Sequence, residues 1–196
     1  MRAIAEESRA GVGERLRQLA WGAAAGLLLV VAALPACRAA MAMGQELKLT
    51  STSFQGSRIP AKFTCNGAGG SPQLAWTAPP AGTVSLALIV TDPDAPGRTF
   101  VHWVLYGLPA SARALPEALP SQGELPDGSR QGRNDFGVIG YGGPCPPGHM
   151  PHHYFFALYA LDAKLNLPAG ASQKQVVAAM QGHILARGEL VALYQR

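Results

Sequence analysis

Three short polar clusters interrupt otherwise apolar stretches of this sequence, and each holds residue types that handle protons or charge. Thr91-Asp92-Pro93-Asp94-Ala95-Pro96 places two carboxylates in a proline-stiffened turn. Val101-His102-Trp103 buries a lone histidine in an apolar run, and Tyr141 to Tyr154 carries Cys145, His149, His152, His153 and Tyr154 in a Gly/Pro-rich segment. A carboxylate beside a histidine can hold the imidazole protonated, so that the ring donates to an oxyanion while the acid orients it. A tyrosine hydroxyl adds a donor, and Gly-rich loops expose backbone N–H groups that cradle anions. Such a pocket binds an oxyanion at neutral pH and binds it better as pH falls.

Each cluster also has a plainer reading. Asp92 and Asp94 can simply cap a turn, because Asp-Pro steps initiate turns. His102 can be a core histidine with a satisfied hydrogen bond. His149, His152 and His153 could ligate a metal, but their spacing matches no zinc motif, so no metal and no cofactor is expected. Trp76 and Trp103 read as core residues.

The clusters need strands to hold them. Glu46 to Thr50, Gln73 to Trp76, Val84 to Thr91, Phe100 to Tyr106, Tyr154 to Leu161 and Leu190 to Tyr194 are rich in β-forming residues and bounded by Gly and Pro. Val84 to Val90 and Tyr154 to Leu161 are nearly continuous in apolar residues, which predicts strands covered on both faces. One helix is expected near the C-terminus, where Ser172-Gln173-Lys174-Gln175 forms a capping box and Val176, Val177, Met180 and Ile184 recur at helical spacing. Pro109 to Arg133 reads as a long excursion over the surface. With 23 Gly and 16 Pro among 196 residues, a helical bundle is disfavoured; with 48% apolar and 14% charged residues, so are disorder and a coiled coil.

The combination of TDPDAP (Thr91 to Pro96), VHW (Val101 to Trp103) and GGPCPPGHMPHHYFFALYALD (Gly142 to Asp162) resembles the phosphatidylethanolamine-binding protein family, also called Raf kinase inhibitor-like proteins, in its bacterial and archaeal branch. The resemblance covers about Leu47 to Arg196. It implies a mainly β fold, with a large antiparallel sheet packed against a smaller one and few helices, and a small surface pocket for phosphate-like groups or a phospholipid head group. Carried across by motif, that pocket uses Asp92, His102, His152 and Tyr154, with Pro96 and Pro144 shaping its wall. Where the family often has Arg after the second histidine, this chain has His153.

The N-terminus reads as an address. From Gln18 to Cys37 no residue is charged, and Trp21 to Ala36 forms an apolar stretch behind Arg15 and Arg17. Ala40-Met41-Ala42 has the form of an ordinary cleavage site, Leu34-Pro35-Ala36-Cys37 that of a lipid-accepting one, and an uncleaved anchor is the third reading. Residues 1–42 are therefore expected to be a signal peptide or lipoprotein signal and 43–196 one domain, periplasmic or secreted, with membrane attachment through the N-terminus if lipidated. Cys65 and Cys145 remain as an even pair outside the cytoplasm and are expected to form a disulfide. Removing the first 42 residues lowers the formal charge from +4 to +2 with no basic run, so nucleic acid is not a partner.

The expected function is small-ligand binding without turnover. A hydrolase is the enzyme alternative, although no G-x-S-x-G elbow is present. Inhibition of an extracytoplasmic serine protease is the third reading, since the resemblance implies family members that block kinases or proteases.

Overall fold

Ser85-Leu-Ala-Leu-Ile-Val carries an apolar or small side chain at every position, so only burial on both faces satisfies it. In the computed structural model, which describes residues 46–196, this segment is the middle of a five-stranded sheet. The strands in chain order are β1 (Leu49–Thr50), β2 (Leu74–Trp76), β3 (Ser85–Asp92), β4 (Phe100–Pro109), β5 (Ala114–Leu115), β6 (Arg130–Gln131), β7 (His152–Leu161) and β8 (Ile184–Tyr194). The large sheet runs β6-β4-β3-β7-β8 and the small one β1-β2-β5, with every pairing antiparallel. This is the expected large sheet packed with a smaller one.

Alternation along β3 divides the interior. Leu86, Leu88 and Val90 point toward the small sheet and pack with Leu49, Leu74 and Trp76. Ala87 and Ile89 point the other way, toward Val176 and Met180 of the helix α1 (Gln173–Met180). Trp76 and Trp103 are both core residues. Truncating a fully buried leucine such as Leu88 to Ala would cost about 2–5 kcal/mol.

The capping box of α1 is present, with Ser172 and Gln175 each bonding the other's backbone N–H. Ile184 does not extend the helix face. The chain turns at Gly182, whose φ of +81° favours glycine, and Ile184 opens β8, half-exposed. Pro109 to Arg133 is also tied down more firmly than a surface excursion. It contributes β5 and β6, buries Leu115 and Leu125, and inserts the fully buried Gln131, whose Oε1 accepts from Trp103 Nε1 and whose Nε2 donates to the carbonyls of Pro120 and Gln122. A long segment needs such partners for its backbone polar groups.

The leader, the cleavage sites near Ala42 and Cys37, and the anchor alternative lie outside the described residues. No helix among the described residues is long and apolar enough to cross a membrane.

Candidate functional site

The site forms where β3, β4 and β7 end together. Antiparallel pairing sets Val90 opposite both Trp103 and Phe156, and Thr91 opposite Val101 and Phe155. His102 therefore has no partner on β3 and is the extra residue of a β-bulge. In a regular strand, neighbours face opposite sides; Val101 packs on the helix side and Trp103 on the small-sheet side. The bulge lets His102 share the Trp103 side, where its ring meets Tyr154 edge-on at 5.2 Å between centroids. Bulges recur beside active sites because they re-aim one side chain in this way.

Each histidine is held by its Nδ1. His152 Nδ1 donates to Asp92 Oδ2 at 2.8 Å, and all three of Asp92, His102 and His152 are buried. Asp92 Oδ1 accepts the Asp94 N–H at 2.9 Å, so the turn orients the carboxylate and the carboxylate orients the ring. His102 Nδ1 lies 2.7 Å from the Gly142 carbonyl, and the Gly142 N–H returns to the His102 carbonyl at 2.8 Å. Neither Nε2 has a hydrogen-bond partner among the described residues, and neither is sealed from the pocket. Burial among Phe100, Phe136 and Tyr154 pushes the His102 pKa below its ordinary value, against the opposing pull of the Gly142 carbonyl and Asp92.

These groups open onto a pocket of about 280 Å³, walled by Ala95, Pro96, Phe100, Phe136, Pro146 and Pro147. Pro96 stands where the sequence placed it. Pro144 does not: it is buried outside the lining, and its carbonyl accepts the Cys65 N–H, so it ties the loop to the Cys65 segment instead. Tyr154 forms a second layer behind the two histidines. Its hydroxyl is buried without a hydrogen-bond partner among the described residues, and burial, reinforced by the nearby Asp92 charge, raises its pKa so that it stays protonated.

The loop that carries Gly142 is fixed from outside. Cys65 and Cys145 are disulfide-bonded, with 5.4 Å between their Cα atoms, and Tyr141 donates its hydroxyl to the Phe63 carbonyl at 3.0 Å. A Cβ on Gly142 would stand 2.4 Å from the Phe136 ring, and one on Gly143 2.7 Å from the Phe63 carbonyl oxygen, so both glycines are required by close approach.

His153 points away from the pocket. Its backbone N–H and Nδ1 both reach Asp94 Oδ2 at 2.8 Å, and the backbone bond foremost lowers the Asp94 pKa. The position of the family's arginine is thus used to hold the TDPDAP turn. His149 is exposed, and the described residues contain no group of three or more His, Cys, Asp or Glu side chains arranged to hold a metal.

Phe136 and its turn were missing from the sequence reading. Asn134 accepts the N–H groups of Phe136 and Val138, while Asp135 accepts the Val101 N–H at 2.7 Å and pairs with Arg98. Asn134-Asp135 ahead of Gly137 is a turn signal, yet nothing in it tells which strand the turn clasps.

The two histidines differ in what backs them. The pocket offers one histidine backed by a carboxylate and one backed by a carbonyl, and among the described residues lining it none is Lys, Arg, Ser or Thr. Comparison with known proteins agrees with the fold. Residues 50–195 match the family model described as phosphatidylethanolamine-binding protein. A UPF0098 protein of Methanothermobacter thermautotrophicus is 50% identical over 139 residues, covering 71% of this chain and 91% of that protein. A Mycobacterium tuberculosis protein that carries a provisional lipoprotein name, LppC, is 38% identical over 153 residues, covering 77% of this chain and 73% of its own. The crystal structure of Escherichia coli YbcL superposes with a TM-score of 0.71 at 36% identity, covering 77% of this chain and 99% of YbcL. The chain belongs to the phosphatidylethanolamine-binding protein family.

Proposed function

We propose that this chain is an exported, non-catalytic binding protein whose pocket takes a small oxyanion, either phosphate or the head group of a phospholipid. The observation that carries the reading is the buried Asp92–His152 pair, whose free Nε2 faces a pocket of about 280 Å³. The Asp92 carboxylate fixes Nδ1 and so orients the ring, leaving Nε2 to meet the anion in a charge-assisted bond. The one cysteine of the lining, Cys145, is bonded to Cys65, and absence of turnover is part of the proposal. The hydrolase and protease-inhibitor readings draw no such convergent support from the site. Export is supported by the uncharged stretch from Gln18 to Cys37, by the disulfide, and by similarity to the lipoprotein-named LppC.

Titration calorimetry with inorganic phosphate at pH 6 and pH 8 tests the reading. Replacing His152 by Ala removes a charge-assisted bond worth about 1.5–3 kcal/mol, so affinity falls roughly 10- to 150-fold. The loss in the His152→Ala variant is expected at both pH values. Equal affinity in wild type and the His152→Ala variant would overturn the reading.

A further inference from the structure

The two histidines of the pocket are not equivalent, and the difference lies in what holds Nδ1. A full carboxylate charge lies behind His152 at 2.8 Å. A backbone carbonyl lies behind His102 at 2.7 Å. A carbonyl can only accept, so Nδ1 of His102 bears the hydrogen, and the neutral ring presents a lone pair at Nε2. Nothing among the described residues donates to that lone pair. The surroundings keep the ring neutral: three aromatic rings enclose it, and burial outweighs the attraction of Asp92 on β3 and Asp135 beyond β6. His152 on β7 opposes a second positive charge, and Tyr154 on β7 stays neutral.

We infer that His102 makes the pocket selective for oxyanions that carry their own hydroxyl proton, over isosteric oxyanions that carry none. This rests on the oxyanion reading above and narrows the ligand class. An oxyanion bound by His152 extends another oxygen toward His102 Nε2. If that oxygen bears a hydrogen, it donates to the lone pair; if it is bare, two acceptors face each other in a desolvated site. Inorganic phosphate keeps at least one hydroxyl throughout the neutral range and a phosphomonoester keeps one in its singly protonated form, whereas sulfate and the phosphodiester of an intact phospholipid have none, so of the two ligands proposed above free phosphate is favoured. Sites that expect a donor reject the analogue lacking it strongly, because their own buried group is left unpaired.

Calorimetry at pH 7.5 with inorganic phosphate, glycerol 3-phosphate and sulfate on the wild-type chain tests this. Sulfate binding at least about tenfold more weakly than phosphate is the expected result. At pH 7.5 glycerol 3-phosphate is mostly its bare dianion and so is expected to fall behind phosphate; if it matches or exceeds phosphate, the inference is overturned. Sulfate and phosphate binding equally would overturn the inference while leaving the oxyanion reading intact. Failure of all three to bind would overturn the oxyanion reading itself. His102→Phe removes the lone pair, so the ratio of phosphate to sulfate affinity falls toward one in a variant that melts cooperatively. Should that variant not fold, the 15N shift of His102 Nε2 in the wild type at pH 7.5 decides. An unprotonated nitrogen supports the inference, and a protonated one contradicts it.

Discussion

The five-stranded sheet has an opening at each end, and the larger is the less equipped. At the end opposite the site, a cavity of about 420 Å³ is lined by Tyr106, Asp127, Arg130 and Lys164 among others. Its polar groups are already used or solvated. Tyr106 donates to the Pro168 carbonyl, Arg130 to the Leu167 carbonyl, Asp127 accepts from Ser129, and Lys164 is exposed. The site end holds less space, yet two ring nitrogens and a buried tyrosine hydroxyl there have no partner among the described residues. What distinguishes a site is hydrogen-bonding capacity without a protein partner that converges on one pocket, where a ligand can pair it.

The largest effect expected from breaking this contrast comes from the disulfide, which anchors the site end and has no counterpart at the other. The Cys65→Ser, Cys145→Ser double variant should lose about 2–5 kcal/mol in denaturant unfolding. An unchanged midpoint would show that the loop is held by Tyr141 and the backbone alone. A smaller effect concerns pH. His102 has a lowered pKa when folded, so the unfolded chain binds the extra proton, and stability falls as pH drops from the ordinary histidine value toward the folded one. Thermal melts between pH 7 and pH 5 should show that loss in wild type and less of it in His102→Phe; parallel profiles would remove His102 from the account. The smallest effect belongs to the far end. Lys164→Ala should shift stability by no more than about 0.5 kcal/mol and leave phosphate affinity unchanged. A large loss of affinity there would move the site to the wrong end of the sheet.

How far the sequence could be read follows the same division. Long apolar runs bounded by Gly and Pro reveal β3, β4 and β7 because burial on both faces dictates their composition. The two-residue strands β5 and β6 leave no pattern, and tertiary contacts alone fix them. The helix start is legible because a capping box is local; its end is not, since apolar spacing runs on to Ile184 across the turn at Gly182. Asp92, His102 and His152 are legible as polar residues at the ends of core strands. Which prolines wall the pocket is not, because Pro144, Pro146 and Pro147 lie in one Pro-rich loop and only its packing separates them. That the Tyr154 hydroxyl sits behind the histidines, and that Phe136 encloses His102, depend on how the β7 face and the Asn134 turn pack.

Whether His102 and His152 face one ligand can be read from the histidine rings in 1H–15N spectra during titration with inorganic phosphate. The His102 and His152 signals should move together and saturably, while those of His149 and His183, which are exposed and outside the pocket, stay in place. Saturable binding that leaves His102 and His152 unmoved, or moves only one of them, would contradict a shared ligand.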